Sequence, residues 1–117
     1  MPLVHREVAV SWLFLAFAGL FEIGFAVSLK LSHGFSRLWP TVVFVICAAA
    51  SLDLLNLALK SLPVGTAYAV WTGIGAAGTA VIGILFMGDP ATLARIVSIV
   101  LIIGGVVGLN LAEATAH

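Results

Sequence analysis

The chain has 117 residues, 62% of them hydrophobic and 9% charged, with five basic and five acidic residues and a formal net charge of zero. Soluble domains run near ~45–50% apolar and ~25% charged, and a mean hydropathy of +1.24 leaves too few charges to cover a water-facing surface. These figures argue against a soluble enzyme, a disordered chain and a nucleic-acid binder, which would need a basic face; an all-α integral membrane protein, one small domain over residues 1–117, is expected.

Charges and turn residues cut the chain into four apolar stretches. The first, about 8–31, is broken only by Glu22 and ends in the polar run Ser32-His33-Gly34-Phe35-Ser36-Arg37, whose glycine suits a helix C-terminus. It is longer than the ~7–15-residue apolar core of a signal peptide, and three more stretches follow, so a mature span is expected. The second, 39–60, opens at Trp39-Pro40, with proline in the first turn where its missing N–H costs nothing. It contains Asp53 and Asn56. Ser61-Leu62-Pro63 separates it from a third, 64–88, which carries no charge before Asp89. Gly88-Asp89-Pro90 closes that segment, and the fourth runs over 93–111. Each is near the ~20 residues that a helix needs to cross ~30 Å of hydrocarbon, and alternating ~10-residue strand segments are absent. Four transmembrane helices are therefore predicted.

Four spans put both termini on one side with Arg6 and Lys60, and place Lys30, Arg37 and Arg95 on the other. Two basic residues against three is almost no bias, where basic residues ordinarily mark the cytoplasmic side. Either a few charges suffice to orient the chain, or it inserts both ways. A four-helix chain of this size encloses little, so oligomerisation is expected. Gly104 and Gly108 form one GxxxG step in the fourth segment, a packing signal that does not choose between contacts within the chain and contacts across a dimer.

Glu22 is the first candidate for chemistry. It lies near the middle of the first helix, too deep for a short carboxylate to reach the interface, where a charge costs ~2.5–3.5 kcal/mol even on a lenient scale. An acid kept at that depth can load and release protons; its bland alternative is a permanently protonated group bonded across helices. Helical spacing puts Ala18, Gly19, Phe25 and Ala26 around it. On the third helix Tyr68 and Trp71 are one turn apart with Gly75 following. They are packing groups or, beside a carboxylate, an aromatic wall for a cation. Ser51 on the second helix offers a hydroxyl that could fix Glu22 in one rotamer. One acid, one hydroxyl and two polar-tipped aromatics suit a small cation exchanged for protons. Asp53, two positions from Ser51, cannot share its face. A subunit contact, a second proton site and a structural acid remain open for it.

Other features carry less. Cys47 is the one cysteine, so no intramolecular disulfide forms, and a buried, inert thiol is expected. Gly73-Ile74-Gly75-Ala76-Ala77-Gly78 fits GxGxxG but follows no strand, so no dinucleotide and no other cofactor is expected. His5, His33 and His117 lack metal-ligand spacing, and no Ser/His, paired-Asp or metal constellation for an enzyme is present. Trp12 and Trp39 fit an interfacial belt.

The run Lys60-Ser61-Leu62-Pro63-Val64-Gly65-Thr66-Ala67-Tyr68-Ala69-Val70-Trp71-Thr72-Gly73-Ile74-Gly75, with Ala18-Gly19-Leu20-Phe21-Glu22 and the Lys30–Arg37 loop, resembles the small multidrug resistance family, most closely its guanidinium-exporter subtype. The resemblance covers about residues 11–111. It implies an antiparallel dimer of four-helix subunits, often one chain inserted both ways, which the even basic count would suit. It also implies proton-coupled export of guanidinium or small substituted guanidinium cations across the inner membrane. Glu22 matches the family's essential acid, and Ser51, Tyr68 and Trp71 match the residues around it in that subtype. Two positions depart from the pattern. Phe25 stands where the subtype has tryptophan, removing an N–H donor beside the acid, and Asp53 stands where an apolar residue is usual. Both changes leave two alternatives: a subunit that pairs with a homologue in a heterodimer, and an exporter of bulkier hydrophobic or quaternary cations.

Overall fold

The computed structural model describes residues 2–116, with side chains described over 6–114. His117 and the side chain of His5 therefore lie outside the described residues. Four helices fill the chain: α1 Pro2–Leu31, α2 Leu38–Ala58, α3 Val64–Phe86 and α4 Leu93–Ala116. All four contain spans of 21 to 26 residues that are long and apolar enough to cross a membrane, and this is a multi-pass membrane protein.

The helix ends follow from local chemistry. Helix α1 starts at Pro2 rather than near Val8, since proline is preorganised for a first helical position and the polar residues that follow do not oppose helix. The α1–α2 link turns on Ser32, which is wholly buried. Its hydroxyl donates to the Leu29 carbonyl at 2.7 Å and accepts from the Phe35 N–H at 3.1 Å. Its carbonyl receives the Ser36 and Arg37 N–H groups at 2.9 and 3.1 Å. These bonds hold His33, Gly34 and Phe35 at φ 48°, 71° and 67°, a left-handed conformation that costs roughly 1–2 kcal/mol for each residue with a Cβ.

Helix α2 stops at Ala58, two residues before the expected Lys60, because the N–H groups of Lys60 and Ser61 turn back in tight three-residue bonds to Leu57 and Ala58. Pro63 precedes α3. At the other end of α3, Gly88 is left-handed at φ 76° and the Met87 and Asp89 N–H groups both donate to the Gly83 carbonyl. Thr92 starts α4, accepting the Arg95 N–H on its hydroxyl at 3.2 Å, the bond expected of a threonine cap. Helix α4 continues to Ala116 instead of stopping near Leu111.

Helix α1 is central, packed against α2 on one side and α3 on the other, while, among the described residues, α4 packs its backbone closely against α3 alone. Small residues permit these approaches. Ile74 of α3 seats on Gly19, Ile23 of α1 seats on Gly78, and Cys47 of α2 lies over Gly24. The buried core joins Leu15, Ala18, Leu55, Ala58, Leu62, Ala67 and Val70. Large apolar side chains face outward on every helix, among them Phe17, Trp39, Leu85 and Leu101, as a lipid-facing surface requires.

Candidate functional site

Glu22 projects from α1 toward α3 and is half-buried. Its carboxyl group lies directly over Gly75, so close that a Cβ there would collide with it. Oε2 is buried and, among the described residues, has no hydrogen-bond partner. Glu22 stands nine residues before Leu31, about 13 Å along the helix at ~1.5 Å per residue. A carboxyl group held in apolar surroundings without a donor is costly, and glycine at 75 is what leaves room for it.

Ser51 is wholly buried on α2. Its hydroxyl does not bond Glu22. It donates to the Ala18 carbonyl at 2.6 Å and accepts from the Trp71 indole N–H at 2.9 Å. One hydroxyl thus links α2 to α1 one turn before the acid, and fixes the indole of α3 in place. The Ala18 acceptor was not readable from spacing, since a backbone carbonyl already inside a helix gives no sequence signal. Tyr68 lies beside Trp71, ring centres 5.6 Å apart and planes tilted by 57°. It is 59% exposed, so its ring lies at the outer edge of the group.

Phe25, half-buried one turn beyond Glu22, meets Phe44 of α2 edge-to-face with centroids 5.9 Å apart. Phe44 in turn meets Phe35 of the α1–α2 link at 5.5 Å. Phe44 was missed in the sequence, because its partner depends on the register between two helices. The structure therefore brings Glu22, Ser51 and Trp71 to the α1–α2–α3 junction, with Tyr68 beside Trp71 and Phe25 following Glu22 along α1.

The other marked residues lie elsewhere. Asp53 and Asn56 are exposed on α2, and Lys60 is exposed just beyond it. Gly104 and Gly108 are exposed on α4 with open space at their Cβ positions; neither is used to pack the helices of one chain. Cys47 is half-buried rather than fully buried. No group of His, Cys, Asp and Glu suited to a metal ion occurs among the described residues. A pair that sequence reading missed is Thr66 and Glu113, hydrogen-bonded at 2.7 Å between the start of α3 and the end of α4.

A family model described as Small Multidrug Resistance protein matches residues 10–102. A protein named guanidinium exporter from Yersinia pestis is 56% identical over 104 residues, covering 89% of this chain and 100% of the relative. Proteins of the same name from Salmonella typhimurium (strain LT2) and Escherichia coli (strain K12) are 52% and 53% identical over 103 residues, 88% of this chain and 98% of each relative.

Proposed function

The chain belongs to the small multidrug resistance family, and on that premise we propose that it is a guanidinium exporter, coupling outward movement of guanidinium or a small substituted guanidinium to inward movement of protons. The observation that carries this reading is the Glu22 carboxyl group, held at membrane depth beside a positioned indole, with Oε2 buried and, among the described residues, unpartnered. An ionised carboxylate there needs a counter-charge, which a proton or an organic cation supplies.

Guanidinium is planar, and its N–H groups bond carboxylate oxygens in parallel pairs. The faces of Trp71 and Tyr68 add attraction for a cation worth ~0.5–2 kcal/mol according to solvation. Ser51 acts through others: by holding the Ala18 carbonyl and the Trp71 indole it fixes the carboxylate's helix and the aromatic wall together. Because proton and cation compete for one oxygen pair, binding of one releases the other, and the exchange follows.

A single copy leaves Glu22 partly exposed, and we take the working unit to be an antiparallel dimer in the inner membrane, with the two Glu22 groups lining one site. The open glycines of α4 and the even distribution of basic residues support that arrangement. Two observations favour further readings. Phe25 packed on Phe44 supplies an apolar wall that would accept bulkier hydrophobic cations, and Asp53, exposed on a membrane helix, fits a partner subunit of different sequence.

The test is proton movement driven by guanidinium in liposomes holding this chain alone, with a bulky aromatic cation in parallel. Wild type should couple guanidinium to protons and Glu22→Gln should not. Response to the bulky cation alone would move the assignment to hydrophobic cations. Silence toward both from folded protein would overturn the homodimer.

A further inference from the structure

At the end of the bundle that holds Arg6 and Lys60, a cavity of about 470 Å³ opens between α1 and the close of α2. Arg6 lies on its rim at the start of α1, and Lys60 and Ser61 on the turn after α2; both basic side chains are exposed. Among the described residues neither cation has an ion-pair partner. Ser11, one turn below Glu7 on α1, is only 3% exposed yet lines the same cavity. The remaining walls are apolar, with Val10, Phe14 and Leu57. Residues four apart lie on one helix face, so the sequence Arg6, Val10, Phe14 runs from charged to apolar in the direction of the membrane interior.

That gradient is the order of groups in a phospholipid: phosphate, glycerol oxygens, then acyl chain. We propose that the cavity is a binding site for an anionic phospholipid, its phosphate held between Arg6 and Lys60, its glycerol region against the Ser11 and Ser61 hydroxyls, and its chain along Phe14 and Leu57. Two cations against the single carboxylate of Glu7 leave the lining one positive charge, which an anionic headgroup neutralises and a zwitterionic one does not. Along α1, Arg6 lies about 24 Å from Glu22 and Phe14 about 12 Å, at ~1.5 Å per residue, and the site stands apart from the transport reading.

Native mass spectrometry of the full chain in detergent tests it, with phosphatidylglycerol, phosphatidylethanolamine and phosphatidylcholine offered in equal amounts. Phosphatidylglycerol should be retained in preference to both others, and Arg6→Gln with Lys60→Gln should weaken retention about twenty-fivefold, at roughly fivefold for each basic residue near an anionic headgroup. Glu7→Gln should strengthen it several-fold, and that variant decides the matter even if the double variant does not fold. Inorganic phosphate should not displace the lipid. Equal retention by wild type and the double variant, equal retention of phosphatidylethanolamine, displacement by phosphate, or no gain in Glu7→Gln would each overturn the proposal. Glu22→Gln should retain the lipid as wild type does, whatever its transport.

Discussion

Replacing Gly75 by alanine separates the carboxyl group's position from the stability of the fold. The added carbon would stand 2.9 Å from Glu22 Cγ and nearer still to the carboxyl carbon and Oε2. Ordinary contact between such atoms is ~3.5–4.0 Å, so the carboxyl group must withdraw by roughly 1 Å. Two energies oppose each other in the stability. Alanine in a helix interior is favoured over glycine by about 1 kcal/mol, while overpacking typically costs ~1–3 kcal/mol. Here the displaced group ends a flexible side chain that can rotate away, which puts the cost at the low end and the net change within about 1 kcal/mol. Transport has no such compensation, since a 1 Å misplacement of a reacting group can cost on the order of 10²-fold. Gly75→Ala should therefore unfold in detergent near the wild-type temperature while its guanidinium-driven proton flux falls about a hundredfold. Gly78→Ala is the control, because its methyl presses on Ile23 instead and should leave most of the flux. Flux within a few-fold of wild type in a normally stable Gly75→Ala protein would refute the placement of the carboxyl group over residue 75.

Ser51→Ala and Trp71→Phe each remove one side of the hydrogen bond at 2.9 Å. Unfolding measurements on the two single variants and the double should reveal a coupling of about 0.6 kcal/mol, the average for polar pairs between membrane helices, and strict additivity would deny the link. Binding of guanidinium, measured by calorimetry, should weaken as pH falls, because the protonated carboxyl offers the cation no counter-charge; the loss should reach about tenfold per pH unit for each proton displaced. At higher pH, where the carboxylate is already ionised, affinity should level off, and Glu22→Gln should show no dependence of this kind. Phe25→Trp returns an N–H donor beside the acid and breaks the fit against Phe44. Competition assays should then favour guanidinium over bulky aromatic cations more strongly than in wild type, and an unchanged ratio would show that residue 25 does not set the choice.

What could be read from residues alone divides along physical lines. The spans were legible because the bilayer imposes length and hydropathy on each helix separately, without regard to its neighbours. Glu22 was legible for the same reason, as a charge whose cost is set by depth. Contacts between helices were not. Ser51 was marked as a hydroxyl that could hold Glu22 in one rotamer, but its hydrogen went to the Ala18 carbonyl, a group that every residue possesses and that only the approach of α2 to α1 makes available. Phe44 and the Thr66–Glu113 bond were hidden in the same way. Helix ends were shifted where polar residues continue a helix beyond the apolar run, as Glu113 does on α4. The side of Asp53 was also beyond periodicity, because α2 has apolar residues around its whole circumference and the exposed face follows only from where α1 sits.

Among the described residues the backbone of α4 lies close to that of α3 and of no other helix, and this bears on how the protein is made. Glu22, Ser51, Tyr68 and Trp71 all precede residue 87, and the helices that bear them contact one another directly. As the ribosome delivers the chain to the membrane, everything that positions the acid can assemble before the last span is inserted. Damage to α4 should consequently appear in how much protein accumulates and how it associates, while the contacts that one chain makes around the carboxyl group, Gly75 beneath it and the Ser51–Trp71 pair beside it, stay as they were.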